Sequence, residues 1–120
     1  MRPTLSIAIV GGRDFDDYPL LESTMDFYLG GEELDVCIVS GGAKGADTLG
    51  KRYADEKGLT TIIFVADWNT HGKSAGYKRN VSIVKNSDAV IAFWDGKSKG
   101  TKHTIDLANK ADKPVLTINY

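Results

Sequence analysis

Five short apolar runs rich in β-branched residues alternate with four longer stretches whose apolar residues recur at helical spacing, and this alternation narrows the fold of the chain more than any other feature. The runs are Leu5 to Val10, Asp35 to Val39, Thr60 to Val65, Asp88 to Phe93 and Val115 to Asn119. In the first intervening stretch Pro19 suits an opening helical turn, Leu20, Leu21, Met25, Phe27, Tyr28 and Leu29 follow, and Gly30-Gly31 stops the helix. Thr48 to Lys57, Lys73 to Asn86 and Lys102 to Ala111 are the other predicted helices. Their inward faces are Leu49, Tyr53 and Ala54, then Ala75, Val81, Ile83 and Val84, then Ile105, Leu107 and Ala108. Continuous apolar strands joined by amphipathic crossovers form a parallel sheet covered on both faces, with right-handed connections. The expected fold is therefore α/β, a Rossmann-like doubly wound parallel sheet of five strands with about four helices in three α/β/α layers. With 120 residues and no linker, repeat or low-complexity stretch, one domain over residues 1–120 is expected.

The connections are chemically unequal. Loops that leave the carboxyl ends of the strands carry glycine, charge and tryptophan: Gly11-Gly12-Arg13-Asp14, then Ser40 to Asp47, then Asp67, Trp68, His71 and Lys73, then Trp94-Asp95-Gly96 through Gly100-Thr101. The opposite connections, Gly30 to Leu34 and Asp112 to Pro114, read as ordinary turns. In open parallel sheets ligands bind outside the carboxyl ends of the strands, at the point where strand order reverses. The central loop, Ser40-Gly41-Gly42-Ala43-Lys44-Gly45-Ala46-Asp47, opens a helix with three glycines in five positions. Missing Cβ atoms expose backbone N–H groups there, and a helix N-terminus adds unpaired donors, which together suit a phosphate. The other explanation is a tight strand-to-helix turn. If phosphate sits there, Gly42→Val or Gly45→Val abolishes binding in a folded domain. Neither the Gly-x-Gly-x-x-Gly fingerprint nor the Walker spacing is present, which weakens NAD dehydrogenase and P-loop NTPase readings.

Several residues have two roles open to them. Arg13 forks a phosphate or pairs with Asp14 or Asp47. Asp47 caps its helix or holds a ribose hydroxyl. Ser40 donates to phosphate or satisfies its own loop. Trp68 and Trp94 stack on a base or pack at the sheet edge. Lys73, Lys78 and Arg79 form a solvated helix face or reach a ligand. His71 and His103 lie too far apart in sequence for a metal pair, so no metal site is expected; His103 is an acid–base candidate or a surface residue. Cys37 lies in an apolar strand and has no internal partner for a disulfide. A net charge of −1 argues against a broad nucleic-acid footprint, so nucleic acid is not expected as a partner. No apolar run approaches membrane-spanning length and no basic-then-apolar leader is visible, so no membrane and a cytoplasmic location, in a cell or a virus-infected cell, are expected.

Taken as a set, Val-Gly-Gly-Arg-Asp-Phe after the first strand, Ser-Gly-Gly-Ala-Lys-Gly-Ala-Asp after the second, and Asp67-Trp68 with Gly72-Lys73, Ala75-Gly76 and Arg79-Asn80 after the third carry a resemblance. With Ser87-Asp88-Ala89 and Gly100-Thr101, the chain resembles the YspA/YpsA-related SLOG family, in a superfamily with the DNA-processing protein DprA and the LOG cytokinin-activating enzymes. The resemblance implies a Rossmann-like fold that binds a nucleotide or a nucleotide-derived ligand, such as an NAD or ADP-ribose derivative. It points to Gly11, Gly12, Arg13, Ser40, Gly41, Gly42, Lys44, Gly45, Asp47, Trp68, Lys73, Arg79, Gly96, Gly100 and Thr101 as ligand-binding residues. LOG enzymes carry Pro-Gly-Gly-x-Gly-Thr-x-x-Glu after the fourth strand, and Thr104 stands where their Glu would be. LOG-type hydrolysis of AMP is therefore expected to be weak or absent. An N-glycosidase would need another carboxylate, Asp95 or Asp14 before Asp47 or Asp67. DprA-like binding of single-stranded DNA is the remaining alternative. A homo-oligomer is also expected, from the family and from an apolar edge of Leu107, Leu116, Ile118 and Tyr120.

Overall fold

Each apolar run becomes a strand of one parallel sheet. The computed structural model describes residues 4–30 and 35–120. The elements are β1 (Thr4–Gly11), α1 (Tyr18–Leu29), β2 (Asp35–Ser40), α2 (Ala46–Lys57), β3 (Thr60–Ile63), the short α3 (Trp68–His71), α4 (Ala75–Lys85), β4 (Ala89–Trp94), α5 (Lys99–Lys110) and β5 (Val115–Asn119). Strand order is β3-β2-β1-β4-β5, and every pairing is parallel. Ile7 stands opposite Ile38 of β2 on one side and Ala89 of β4 on the other. The winding therefore reverses between β1 and β4, as in the expected Rossmann-like, three-layer α/β/α fold.

Alternation along the strands sorts the core into two halves. Ile7, Ile9, Ile38, Ile91 and Phe93 pack with Tyr18, Leu21 and Met25 of α1 and with Tyr53 and Ala54 of α2. Ala8, Val10, Val39, Val90 and Ala92 pack with Ile83 and Val84 of α4 and Ala108 of α5. Burying each Ile or Leu contributes about 1.5–3 kcal/mol, so the three inner strands β2, β1 and β4, enclosed on both faces, hold the sheet together.

Several boundaries differ from expectation. β3 stops at Ile63, and Val65 beyond it is 76% exposed. The polar loop predicted over residues 66–72 contains α3, whose first turn is capped by the Asp67 carboxylate accepting from Thr70 N–H at 3.1 Å. A 3-10 turn, Gly72–Ser74, carries Lys73, so α4 begins at Ala75. Val81 is 48% exposed, because at 3.6 residues per turn it falls on the side of α4 opposite Ile83. α5 starts at Lys99, since the Ser98 hydroxyl accepts from Thr101 N–H at 3.4 Å. Gly30 closes α1 in the left-handed conformation, its N–H donating to Asp26 O; Gly31 and the rest of the turn to Leu34 lie outside the described residues. Leu116 and Ile118 pack against the α1/α2 half of the core and Leu107 against the other, so they do not form the exposed apolar edge expected of them.

Loops at the carboxyl edge are joined through Gly12. Its N–H donates to Phe93 O at 3.1 Å, and its carbonyl accepts from Phe15 N–H at 3.3 Å and Ala46 N–H at 3.2 Å. Gly45, just before α2, makes this junction possible. Its φ is +81° with ψ −126°, and a Cβ there would collide with the Gly12 carbonyl and stand 2.7 Å from Arg13 O. Gly45 thus admits the first loop rather than lining the space where a ligand sits. Gly45→Ala is expected to lower stability by about 1–3 kcal/mol in urea unfolding; a change below about 0.5 kcal/mol would contradict this account of the junction.

Candidate functional site

A cleft of about 400 Å³ opens at the carboxyl edge of the sheet where β1 and β4 part. Val10, Gly11, Gly12, Arg13 and Asp14 form one side, with Ala43 and Asp47 behind them. Arg79, Asn80 and Ile83 of α4 form a second side, and Asp95, Ser98, Gly100, Thr101 and Thr104 close the third. Ser98 and Asp95 shape that last wall. The Asp95 carboxylate accepts from Lys97 N–H and Ser98 N–H, each at 2.8 Å, and these two backbone donors hold it below the usual carboxylate range. The first turn of α5, with Gly100 and Thr101, consequently faces the cleft.

Asp47 is the buried charge of the site, 7% exposed. It does not cap α2: Gly45 occupies that position, and no side chain bonds there. Its carboxylate turns back to accept from Ala43 N–H at 3.1 Å. Desolvation pushes its pKa up to about 6, outweighing the Ala43 bond and the guanidinium of Arg79. Arg79 is anchored in turn, with Nη1 donating to Gly41 O and Nε donating to Asn80 Oδ1, both at 3.1 Å. A Cβ on Gly41 would stand 2.6 Å from Arg79 Nη1 and 2.9 Å from Asp47, so glycine lets the arginine reach the central loop. Asn80 Nδ2 donates to Gly100 O at 3.3 Å and lies 3.2 Å from His103 Nδ1. The Arg79-Asn80 pair therefore ties the loop after β2 to the loop after β4.

A second depression of about 330 Å³ adjoins the cleft and shares Arg13, Ala43 and Arg79 with it. Gly41, Gly42, Lys44, Val65, Ala66 and Trp68 complete its lining, which contains three cationic side chains and no carboxylate. Trp68 is 55% exposed.

The structure brings most of the sequence-predicted residues to one place. Gly11, Gly12, Arg13, Asp14, Asp47, Arg79, Asp95, Gly100 and Thr101 line the cleft, and Gly41, Gly42, Lys44 and Trp68 line the depression beside it. Ser40 is buried below, accepting from Gly42 N–H at 3.2 Å and donating to Asp47 O at 3.4 Å, so it satisfies its own loop. Lys73 and Gly96 are exposed and line neither space, and Gly45 is enclosed by the first loop. Trp94 donates through Nε1 to Ser98 O at 3.0 Å. Asp14 accepts from the Tyr120 hydroxyl at 2.5 Å. His103 stands edge-on to Tyr77 at 4.7 Å and lies outside the cleft lining; burial lowers its pKa. Asn80 and Ser98 escaped the candidate set. A serine three residues before Thr101 is a recognisable cap signal, whereas nothing local marks Asn80 as a tie to a loop twenty residues away.

The family model described as the YspA, cpYpsA-related SLOG family matches residues 5–71. The Gene 61 protein of Mycobacterium phage D29 is 34% identical over 116 residues, covering 92% of this chain and 93% of the phage protein. Among solved structures, DNA processing protein A (DprA) from Streptococcus pneumoniae superposes with a TM-score of 0.75 at 21% identity over 98% of this chain. DprA from Helicobacter pylori, whose structure is described for its single-stranded DNA binding mode, gives 0.73 at 25% identity over 97%. The chain spans only 51% and 66% of those two DprA chains.

The likeness to a DprA described for its single-stranded DNA binding mode overturns the expectation that nucleic acid is no partner, which rested on the net charge and on the lack of a broad basic stripe. Fifteen basic and sixteen acidic residues cancel over the whole chain, but that sum hides their distribution: Arg13, Lys44 and Arg79 gather in one depression. Among the described residues no helix is long and apolar enough to cross a membrane.

Burial of Asp47 has a pH signature. Its folded pKa of about 6 lies above the unfolded value near 3.8, so the folded state holds the extra proton between the two. Stability contributed by this proton is present at low pH and is lost as pH rises through about 6. Relative to Asp47→Asn, the parent protein is expected to lose roughly 2–3 kcal/mol between pH 4 and pH 7.5 in urea unfolding. A gap between the two proteins that stays constant over that range would contradict the assignment.

Proposed function

This chain belongs to the YspA, cpYpsA-related SLOG family, and on that premise we propose that it binds a nucleotide or nucleotide-derived ligand at the carboxyl edge of its sheet. One observation carries the proposal: the cleft at the strand-order reversal combines two arginines, Arg13 and Arg79, with the first turn of a twelve-residue helix. Guanidinium groups and helix N–H donors are the complementary surface for a phosphate. A volume of about 400 Å³ lies within the range of sites that hold a small ligand. Asn80 ties the arginine wall to the α5 wall through its bonds to Arg79 and Gly100, which supports a preformed cradle for the phosphate. An NAD- or ADP-ribose-type ligand fits this chemistry, because its phosphates would meet the arginines while its ribose approaches Asp47 or Asp14.

Binding without rapid turnover is the more consistent reading. Thr104 is 2% exposed and donates its hydroxyl to Gly100 O at 3.2 Å, so the position of the LOG glutamate holds a neutral group already engaged with the backbone. An oxocarbenium-like transition state needs a carboxylate beside the sugar carbon. Asp95, the other candidate, is occupied in holding its own loop. A second reading, recognition of single-stranded DNA, is favoured by the exposed Trp68 beside Lys44 and by the likeness to the Helicobacter pylori protein.

Calorimetric titration with AMP, adenosine and ADP-ribose tests the first reading. AMP is expected to bind and adenosine to bind at least about tenfold more weakly, because charge-assisted bonds to phosphate are the main attraction. Arg79→Ala is expected to weaken AMP about 10- to 100-fold and adenosine little. Equal affinity for AMP and adenosine, or an Arg79→Ala protein that binds AMP like the parent, would overturn it.

A further inference from the structure

The cleft at the strand-order reversal and the neighbouring depression are two chambers with one shared wall. That wall is made by Arg13, Ala43 and Arg79, so both of its charged members face each side. Arg79 is fixed in place by bonds from two of its N–H groups, to Gly41 O and Asn80 Oδ1, and its guanidinium retains further donors for a ligand. Arg13 is exposed and lines both chambers. An anion held here would sit on the boundary between the chambers, and what is attached to it can extend both ways.

The chambers differ in what they offer. On the cleft side, Asp14, Asp47, Asp95, Ser98 and Thr101 supply acceptors and hydroxyls, which suits a sugar. On the other side there is no carboxylate; there are Lys44, the apolar Val65 and Trp68. Trp68 leaves 55% of its surface exposed, and its Cη2 lies only 3.5 Å from the place a Cβ on Gly76 would take. One edge of the indole therefore rests on the opening turn of α4 while its body stands open to solvent. A large exposed aromatic beside two or three cations is the arrangement that stacks a base and tracks its phosphate.

We infer that the site takes a ligand with two nucleosides joined through phosphate, one nucleoside in the cleft and the other stacked on Trp68, with the linking phosphate between Arg13 and Arg79. This inference rests on the nucleotide-binding reading and adds to it a minimum ligand: a mononucleotide fills one chamber only. The linkage is a pyrophosphate in a dinucleotide or a phosphodiester in a nucleic-acid strand, and both present the same two bases around a bridging anion.

Calorimetric titration of the parent, Trp68→Ala and Trp68→Phe proteins with three probes separates the cases: AMP, diadenosine 5′,5′-diphosphate and the 5′-phosphorylated deoxydinucleotide pdApdA. At least one two-base probe is expected to bind the parent about tenfold tighter than AMP. Trp68→Ala is expected to erase that advantage and leave AMP within about twofold, and Trp68→Phe to keep most of it. The probe that gains identifies the linkage. If AMP binds and neither two-base probe gains, or if the gain survives Trp68→Ala, the two-chamber inference falls while the nucleotide site stands. If no probe binds, both fall.

Discussion

The carbonyl of Gly12 accepts N–H groups from Phe15 and from Ala46 at the start of α2, while its own N–H donates to Phe93 of β4. Three separate segments meet at that one residue: the end of β1, the end of β4 and the junction of the central loop with α2. The bond to Phe93 joins the ends of β1 and β4 where the winding reverses, and the bond from Ala46 ties the start of α2 to the first loop, so the walls of the cleft inherit their spacing from the sheet. Phe15 then stacks on Phe93 at 4.7 Å, and the Tyr120 ring approaches Phe15 at 4.9 Å, which seals the first loop against the α1/α2 half of the core. A loop held this way presents Arg13 and Asp14 from a rigid base.

Electrostatics at the site depend on how its carboxylates are handled. Asp95 is held below the usual carboxylate range by backbone donors, Asp14 accepts from the Tyr120 hydroxyl, and Asp47 is buried enough that desolvation raises its pKa. All three are engaged in loop architecture, and Asp47 is in addition adjacent to Arg79 and largely withdrawn from solvent. The arginines therefore face a ligand with less local competition than the count of acidic residues suggests. Such a balance favours anion binding over general acid–base chemistry, which needs a carboxyl free to approach the reacting atoms.

Much of this was legible in the sequence because the physics involved is local. Continuous Val and Ile runs are required by strands enclosed on both faces, and glycine and charge on only one set of loops is what a carboxyl-edge site demands. The resemblance carried by Gly11-Gly12-Arg13 and by the central loop is matched by the family to which the chain belongs. What could not be read depends on tertiary contacts. Gly45 looks like a phosphate-loop glycine, but only the packed structure reveals that the first loop fills the space beside it. Asp47 looks like a helix cap, yet it points backward to Ala43. Val81 fits an apolar spacing while facing outward. Net charge was the least informative quantity, because it sums over a surface and binding depends on where the charges cluster.

Backbone amide shifts in a 15N-labelled sample titrated with AMP test the central claim most directly, since they report location without assuming which side chain matters. The largest changes are expected at Gly11 to Asp14, at Ala43 and at Gly100 and Thr101, together with the Arg79 side-chain Nε resonance. Changes confined to the outer groove between α4 and α5, lined by Val81, Val84 and Leu107, or no saturable change anywhere, would contradict a nucleotide site at the carboxyl edge of the sheet.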